Sequence, residues 1–159
     1  HEAKRRRIPN DVISHLADIA RQCVSEEMFE DIIYYHLYLD KKICDQYELS
    51  KFHIPSQGEI DIVLQDRQSG DYMLLEVKYT NQQKGSHWKN LKDDKFLKQV
   101  NIQYGLMNKL VGMAVIYTGA TNSKKDGQFY QNGQDFLIAP QKAIAAIKKA
   151  WQQTNFPAK

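Results

Sequence analysis

Cysteine is almost missing from this chain: Cys23 and Cys44 are its only two in 159 residues. That is too few for a disulfide framework or a four-ligand zinc site, and such usage fits a reducing compartment, so a cytoplasmic location is expected. No stretch approaches the roughly 20 consecutive apolar residues of a membrane-crossing helix, which predicts no membrane span. An excess of one charge is lacking as well. The 22 Lys+Arg stand against 19 Asp+Glu, a net +3, so composition alone does not announce a nucleic-acid binder and any basic surface must come from local clustering. Glycine-rich phosphate-binding motifs are absent, which assigns any nucleotide hydrolysis to another part of a parent protein. No internal repeat or low-complexity tract occurs. The chain starts at His1, and Lys4-Arg5-Arg6-Arg7 runs into polar residues and Pro9 rather than an apolar signal-peptide core, so the start reads as a cut inside a longer protein.

What is present reads as a single folded domain over 1–159, since 42% of the residues are hydrophobic and the length suits one core. Val12, Leu16, Ile19 and Cys23 keep helical spacing behind Pro9 and a capping Asn10. A second amphipathic helix follows Ser25, with Phe29, Ile32, Ile33, His36 and Leu37 on one face and acids in the first turn, where the helix dipole favours them. Period-two patterning then predicts strands at about Cys44 to Ile54, Glu59 to Gln65 and Tyr72 to Tyr79. Helical spacing returns from Trp88 to Val111 along Leu97, Val100, Tyr104, Met107 and Val111. Met113 to Tyr117 is a short buried strand, Ala120 to Gly133 a polar loop, and Pro140 opens a last helix carrying Ile144, Ile147 and Trp151. The pattern predicts an α/β fold, a mixed sheet flanked by helices.

The chemistry concentrates in Gly58-Glu59-Ile60-Asp61-Ile62-Val63-Leu64 and Leu74-Leu75-Glu76-Val77-Lys78-Tyr79. Alternation places Glu59, Asp61 and Val63 on one face of the first strand, and Leu74, Glu76 and Lys78 together on the next. A hairpin with Gln65 opposite Tyr72 sets Asp61 beside Glu76 and Glu59 beside Lys78. Two acids side by side repel, a conflict that a divalent cation removes. Carboxylates suit Mg²⁺ or Mn²⁺, and Lys78 would stand near the ion, able to orient or deprotonate water and to offset charge on a phosphate.

Asp61 followed by Glu76-Val77-Lys78 on the next strand resembles the signature of the PD-(D/E)xK, or restriction-endonuclease-like, nuclease superfamily, although Ile60 stands where the name implies proline. Together with Met28-Phe29-Glu30-Asp31-Ile32-Ile33, these segments are similar to the C-terminal nuclease-like domain of a group of bacterial and archaeal AAA-type ATPases. The resemblance implies an αβββαβ core over about 25–118, a fragment of a larger ATPase, and Mg²⁺-dependent hydrolysis of DNA phosphodiester bonds. Carried over, the metal acids fall on Glu30, Asp61 and Glu76 and the lysine on Lys78, and Gln99, Gln103 or Tyr104 is the assisting residue on the following helix.

Lys89, Lys92, Lys95 and Lys98, with Lys84, form a basic strip for a phosphate backbone or, more simply, a solvated helix face broken by Asp93 and Asp94. The same hairpin also admits a reading as an exposed surface with solvated charges. The competing function is a catalytically inactive module of the parent ATPase that binds nucleic acid or protein, because fold does not establish activity.

Overall fold

The computed structural model of the chain describes residues 10–23, 26–125 and 128–155. Lys4-Arg5-Arg6-Arg7, Pro9 and Ser25 lie outside the described residues, as do the side chains of Ile19 and Cys23. In chain order the elements are α1 (Asn10–Cys23), α2 (Glu26–Leu39), α3 (Lys41–Gln46), β1 (Tyr47–Ile54), β2 (Gly58–Asp66) and β3 (Tyr72–Lys78). Two 3-10 turns (Gly85–Trp88 and Asn90–Lys92) lead to α4 (Asp94–Tyr104), β4 (Leu110–Tyr117), β5 (Ser123–Lys125), β6 (Gln128–Asn132), α5 (Gly133–Ile138) and α6 (Pro140–Asn155).

The fold is α/β, as the patterning predicts. Six strands form one mixed sheet in the order β1-β2-β3-β4-β6-β5. β1, β2 and β3 pair antiparallel, β3, β4 and β6 run parallel, and β5 closes the far edge antiparallel to β6. Helices cover both faces, which explains why β3 is buried from Tyr72 to Val77 without alternation. One core joins Ile33 and Leu37 of α2, Phe136 of α5 and Ile147 of α6 to Ile62, Leu75 and Ile116 of the sheet. The other packs Trp88, Leu91, Phe96 and Val100 of the β3–β4 crossover on Ile60, Val63, Leu74 and Val115. Among the described residues no helix is long and apolar enough to cross a membrane.

Several boundaries differ from the sequence reading for local reasons. The strand expected from Cys44 begins at Tyr47, because Asp40 caps a short helix by accepting from Ile43 N at 3.1 Å. The long helix expected from Trp88 to Val111 is only α4. Asp93 caps its start by accepting from Lys95 N and Phe96 N, and Gly105, at φ +105, ends it. Met107 is consequently 93% exposed, and Val111 belongs to a strand. The loop expected from Ala120 to Gly133 contains β5 and β6. In α1, Asn10 lies inside the helix and Ile13 rather than Val12 is buried, since α1 meets α5 on that side.

Gly133 lets α2 settle against the start of α5. A Cβ there would come within 2.7 Å of the Phe29 ring and 3.3 Å of Tyr117 O. Gly133→Ala is therefore expected to destabilise the fold by about 1–3 kcal/mol through overpacking. Urea denaturation of the two proteins checks this, and an unchanged midpoint would show that α2 can shift without cost.

Candidate functional site

β2 does not keep strict alternation. It pairs Val63 with Ser50 and Ile60 with Phe52, so Asp61 and Ile62 together oppose Lys51 in a β-bulge. Ile60 and Val63 consequently pack in one core, while Ile62 and Leu64 pack in the other. The strict alternation expected of Glu59, Asp61 and Val63 is broken by this bulge, which puts Val63 on the same side as Ile60. Against β3 the register has Gln65 opposite Tyr72, as the hairpin argument requires, and it runs to Ile62 opposite Leu75. Beyond that pair the ladder stops, and the Asp61 carboxylate takes over: Oδ2 accepts a hydrogen bond from Val77 N at 2.7 Å. Asp61 thus sits in the fork between β2 and β3, beside Glu76.

Both acids are 5% exposed. Burial raises both above the ordinary carboxylate range. Glu76 is pushed up to about 10 by burial, then by the charge of Asp61 and their mutual hydrogen bond. Asp61 rises to about 6 through burial, restrained by the Val77 N–H. Glu30 pushes it further up, while the hydrogen bond to Glu76 and the charge of Lys78 pull it down. At neutral pH Glu76 keeps its proton and Asp61 the charge. Among the described residues, Glu76 Oε1 is buried without a hydrogen-bond partner.

Two lysines flank the pair, each held by an acid of α2. Lys78 Nζ lies 3.1 Å from Glu26 Oε1, and Lys51 Nζ lies 2.8 Å from Glu30 Oε1. Glu26 and Glu30 are one turn apart, so a single helix face brings one to Lys78 at the end of β3 and the other to Lys51 in the middle of β1. Burial lowers the pKa of Lys78, but the bond to Glu26 and the charges of Glu26, Glu76 and Asp61 outweigh it and leave the ammonium favoured. Next to Lys78, Tyr79, Thr80, Asn81, Gln82 and Thr118 line a polar cleft of about 470 Å³. A more apolar hollow of about 260 Å³ between α1 and α2, lined by Ile13, Met28, Ile32 and Leu137 among others, contains neither the paired acids nor Lys78.

The fold therefore brings together Asp61, Glu76 and Lys78. Glu30 is near enough for its charge to raise Asp61, yet its carboxylate is engaged by Lys51. Among the described residues no group of three or more His, Cys, Asp or Glu side chains is gathered as a metal-ligand set. Glu59 does not partner Lys78, which goes to Glu26; its charge reaches Glu76 and its carbonyl accepts from Asn90 at 3.0 Å. Lys84, Lys89, Lys92, Lys95 and Lys98 are all exposed, but they are spread along the crossover, from the segment before the first 3-10 turn into α4, rather than on one helical stripe. Gln99 donates to Gln57 in the β1–β2 turn. Gln103 and Tyr104 line another cleft with Glu48, Ser50 and Lys51. The Tyr104 hydroxyl bonds Ser50, and its ring stacks on Tyr72 at the start of β3, about 20 Å along the strand from Lys78. Sequence reasoning missed Glu26 and Lys51, which lie on other elements and pair with Lys78 and Glu30.

No protein-family model matches the chain, and no curated protein or solved structure matches it either.

Because the folded chain holds protons on Asp61 and Glu76 that the unfolded chain releases near 3.8 and 4.5, the stability they contribute is complete below those values and falls as pH rises toward about 6 and about 10. With EDTA present, wild-type stability is expected to decline between about pH 5 and about pH 8 by up to about 1.4 kcal/mol per pH unit and proton. Glu76→Gln, which copies the protonated acid, should flatten that decline and exceed wild type at the alkaline end. Urea midpoints across the range decide, and a wild-type midpoint independent of pH would contradict the assignment.

Proposed function

We propose that this chain is a metal-dependent nuclease-like domain that hydrolyses DNA phosphodiester bonds, attached to an AAA-type ATPase in the cytoplasm. The observation that carries the reading is the juxtaposition of two buried carboxyl groups in the strand fork, one with an unpartnered oxygen, and a lysine two residues further along β3. Nothing in the packing of a purely structural sheet calls for two adjacent acids that must share a proton.

The donor set fits Mg²⁺ or Mn²⁺, because these ions take one or two protein carboxylates and keep several waters. Asp61 and Glu76 would hold the ion, which would displace the proton that Glu76 carries. When bound, it supplies charge that polarises a phosphoryl oxygen and makes water more acidic. Glu30 acts from one step away by holding Lys51. Lys78, kept protonated by Glu26 and the paired acids, orients water and offsets charge developing on phosphate oxygens rather than removing a proton. The polar cleft around Thr80 and Asn81 gives a substrate strand room to approach, and Lys84, Lys89, Lys92, Lys95 and Lys98 offer contacts to its backbone.

A second reading, a module that binds nucleic acid or protein without cutting, is favoured by the ion pairs that already occupy Lys51 and Lys78. Mutation separates the two. Lys78→Ala is expected to abolish cleavage and leave Mn²⁺ affinity intact or slightly improved, since it removes a positive charge near the carboxylates. Asp61→Ala should weaken both. Calorimetric titration with Mn²⁺ and incubation with plasmid and structured DNA measure the two quantities. A wild-type chain that binds Mn²⁺ yet cleaves nothing, alone or joined to its parent, favours the binding module.

A further inference from the structure

The corner of a tight turn normally carries polar residues or glycine, because nothing packs on it. Between α4 and β4 this chain has two large apolar residues there. Asn108 N donates to Gly105 O at 3.0 Å and closes a four-residue turn with Leu106 and Met107 as its central pair. They are 73% and 93% exposed and belong to neither core, and Ile102, in the last turn of α4, is 57% exposed. We propose that Leu106 and Met107 form an apolar wedge that enters a DNA duplex from its minor groove and opens one base step. This rests on the DNA reading above and names how that site grips its substrate.

The turn is held from both sides. Asn108 donates from Nδ2 to Tyr104 O at the end of α4, and its own carbonyl accepts from Asn101 at 3.4 Å. Its side chain also lies against Gly70 in the β2–β3 turn, where a Cβ would collide with it. On the other side, Lys109 N donates to Asp71 at 3.0 Å and Lys109 O accepts from Tyr72 N at 2.9 Å. The two apolar side chains are therefore presented on a backbone ordered by folding, which leaves less ordering to be done on binding.

The surroundings suit a polyanion. Lys95, Lys98 and Ile102 follow one another at spacings of three and four along the exposed side of α4, and Lys109 stands exposed just after the turn. Of the nearby acids, Asp93 is turned to the N–H groups that start α4 and Asp71 to Lys109 N, while Asp94 is exposed. Size argues against a protein partner: three side chains expose on the order of a few hundred Å², short of the roughly 800 Å² that each side of a stable interface contributes. Leucine and methionine are, by contrast, among the side chains that proteins insert between base steps. Register places the wedge relative to the acid pair. β3 and β4 run parallel with Tyr72 beside Leu110 and Lys78 beside Tyr117, so the turn stands about 20 Å along the strand from Lys78. The crossover between those two ends carries the exposed lysines from Lys84 to Lys98. At about 3.4 Å per base pair, a duplex along it spans that distance in about six pairs.

The test uses the whole chain and a linear duplex carrying a fluorescent adenine analogue at a central TA step, a step that opens easily, first without divalent metal. Wild type should raise the emission and migrate with the duplex as a bent complex. Leu106→Ser combined with Met107→Ser, at exposed positions where the urea midpoint should not move, should lose both signals while affinity falls less than about tenfold, because the lysines supply the non-specific part. Lys95→Ala combined with Lys98→Ala should do the reverse, lowering the salt slope by about two and keeping the bend. Wild type that binds the duplex without opening it, or the double serine variant opening it as wild type does, overturns the wedge alone. So does a serine variant whose loss is instead of self-association or of binding to phosphatidylserine vesicles. Wild type that binds no DNA overturns the wedge and the nucleic-acid reading together, whereas DNA opened but left uncut when Mn²⁺ is added supports the wedge and overturns hydrolysis.

Discussion

Where β2 and β3 part beyond Ile62 and Leu75, Val77 still needs an acceptor for its N–H, and Asp61 Oδ2 supplies it from 2.7 Å. A carboxylate can reach across the fork only because the bulge opposite Lys51 re-aims Asp61 there. Placing that charge inside the molecule has a chain of consequences. Glu76 beside it retains a proton, Lys51 and Lys78 are drawn to the rim, and α2 sets Glu26 and Glu30 against them. The arrangement of this end of the sheet thus follows from one side chain doing the work of a backbone rung.

The parts of this that could be read in the sequence were local. The turn from Asp66 to Asp71 between two apolar runs is enough to predict Gln65 opposite Tyr72, and that register brings Asp61 to Glu76. The acids of α2's first turn and the hydrophobic face through Ile33 and Leu37 were equally legible. The bulge was not, because the one extra residue in Asp61-Ile62 looks the same as alternation until β1 is in place. Lys51 was invisible for a related reason: its partner, Glu30, is 21 residues away along the chain. β5 and β6 were hidden by polar composition, although Asp126-Gly127 between them is a dipeptide that favours tight hairpins.

Burial of the sheet on both faces changes what the charged residues mean. On a half-exposed hairpin Glu76 and Lys78 would be solvated, and their pairing would be worth a few tenths of a kcal/mol. Between two cores, Glu76 is instead the most costly group on β3, and the ammonium of Lys78 is fixed in its protonated form by what surrounds it.

The two outer strands have a consequence for how the molecule behaves in concentrated solution. Each leaves a row of backbone donors and acceptors that another chain could add to. At one edge β5 is only three residues long, with Lys124 exposed. At the other, β1 shows Glu48, Lys51 and His53 to solvent and is interrupted by the bulge of its neighbour. Shortness on one side and interspersed charge on the other discourage strand addition, so the sheet ends where its own hydrogen bonding ends and resists growth into fibrils.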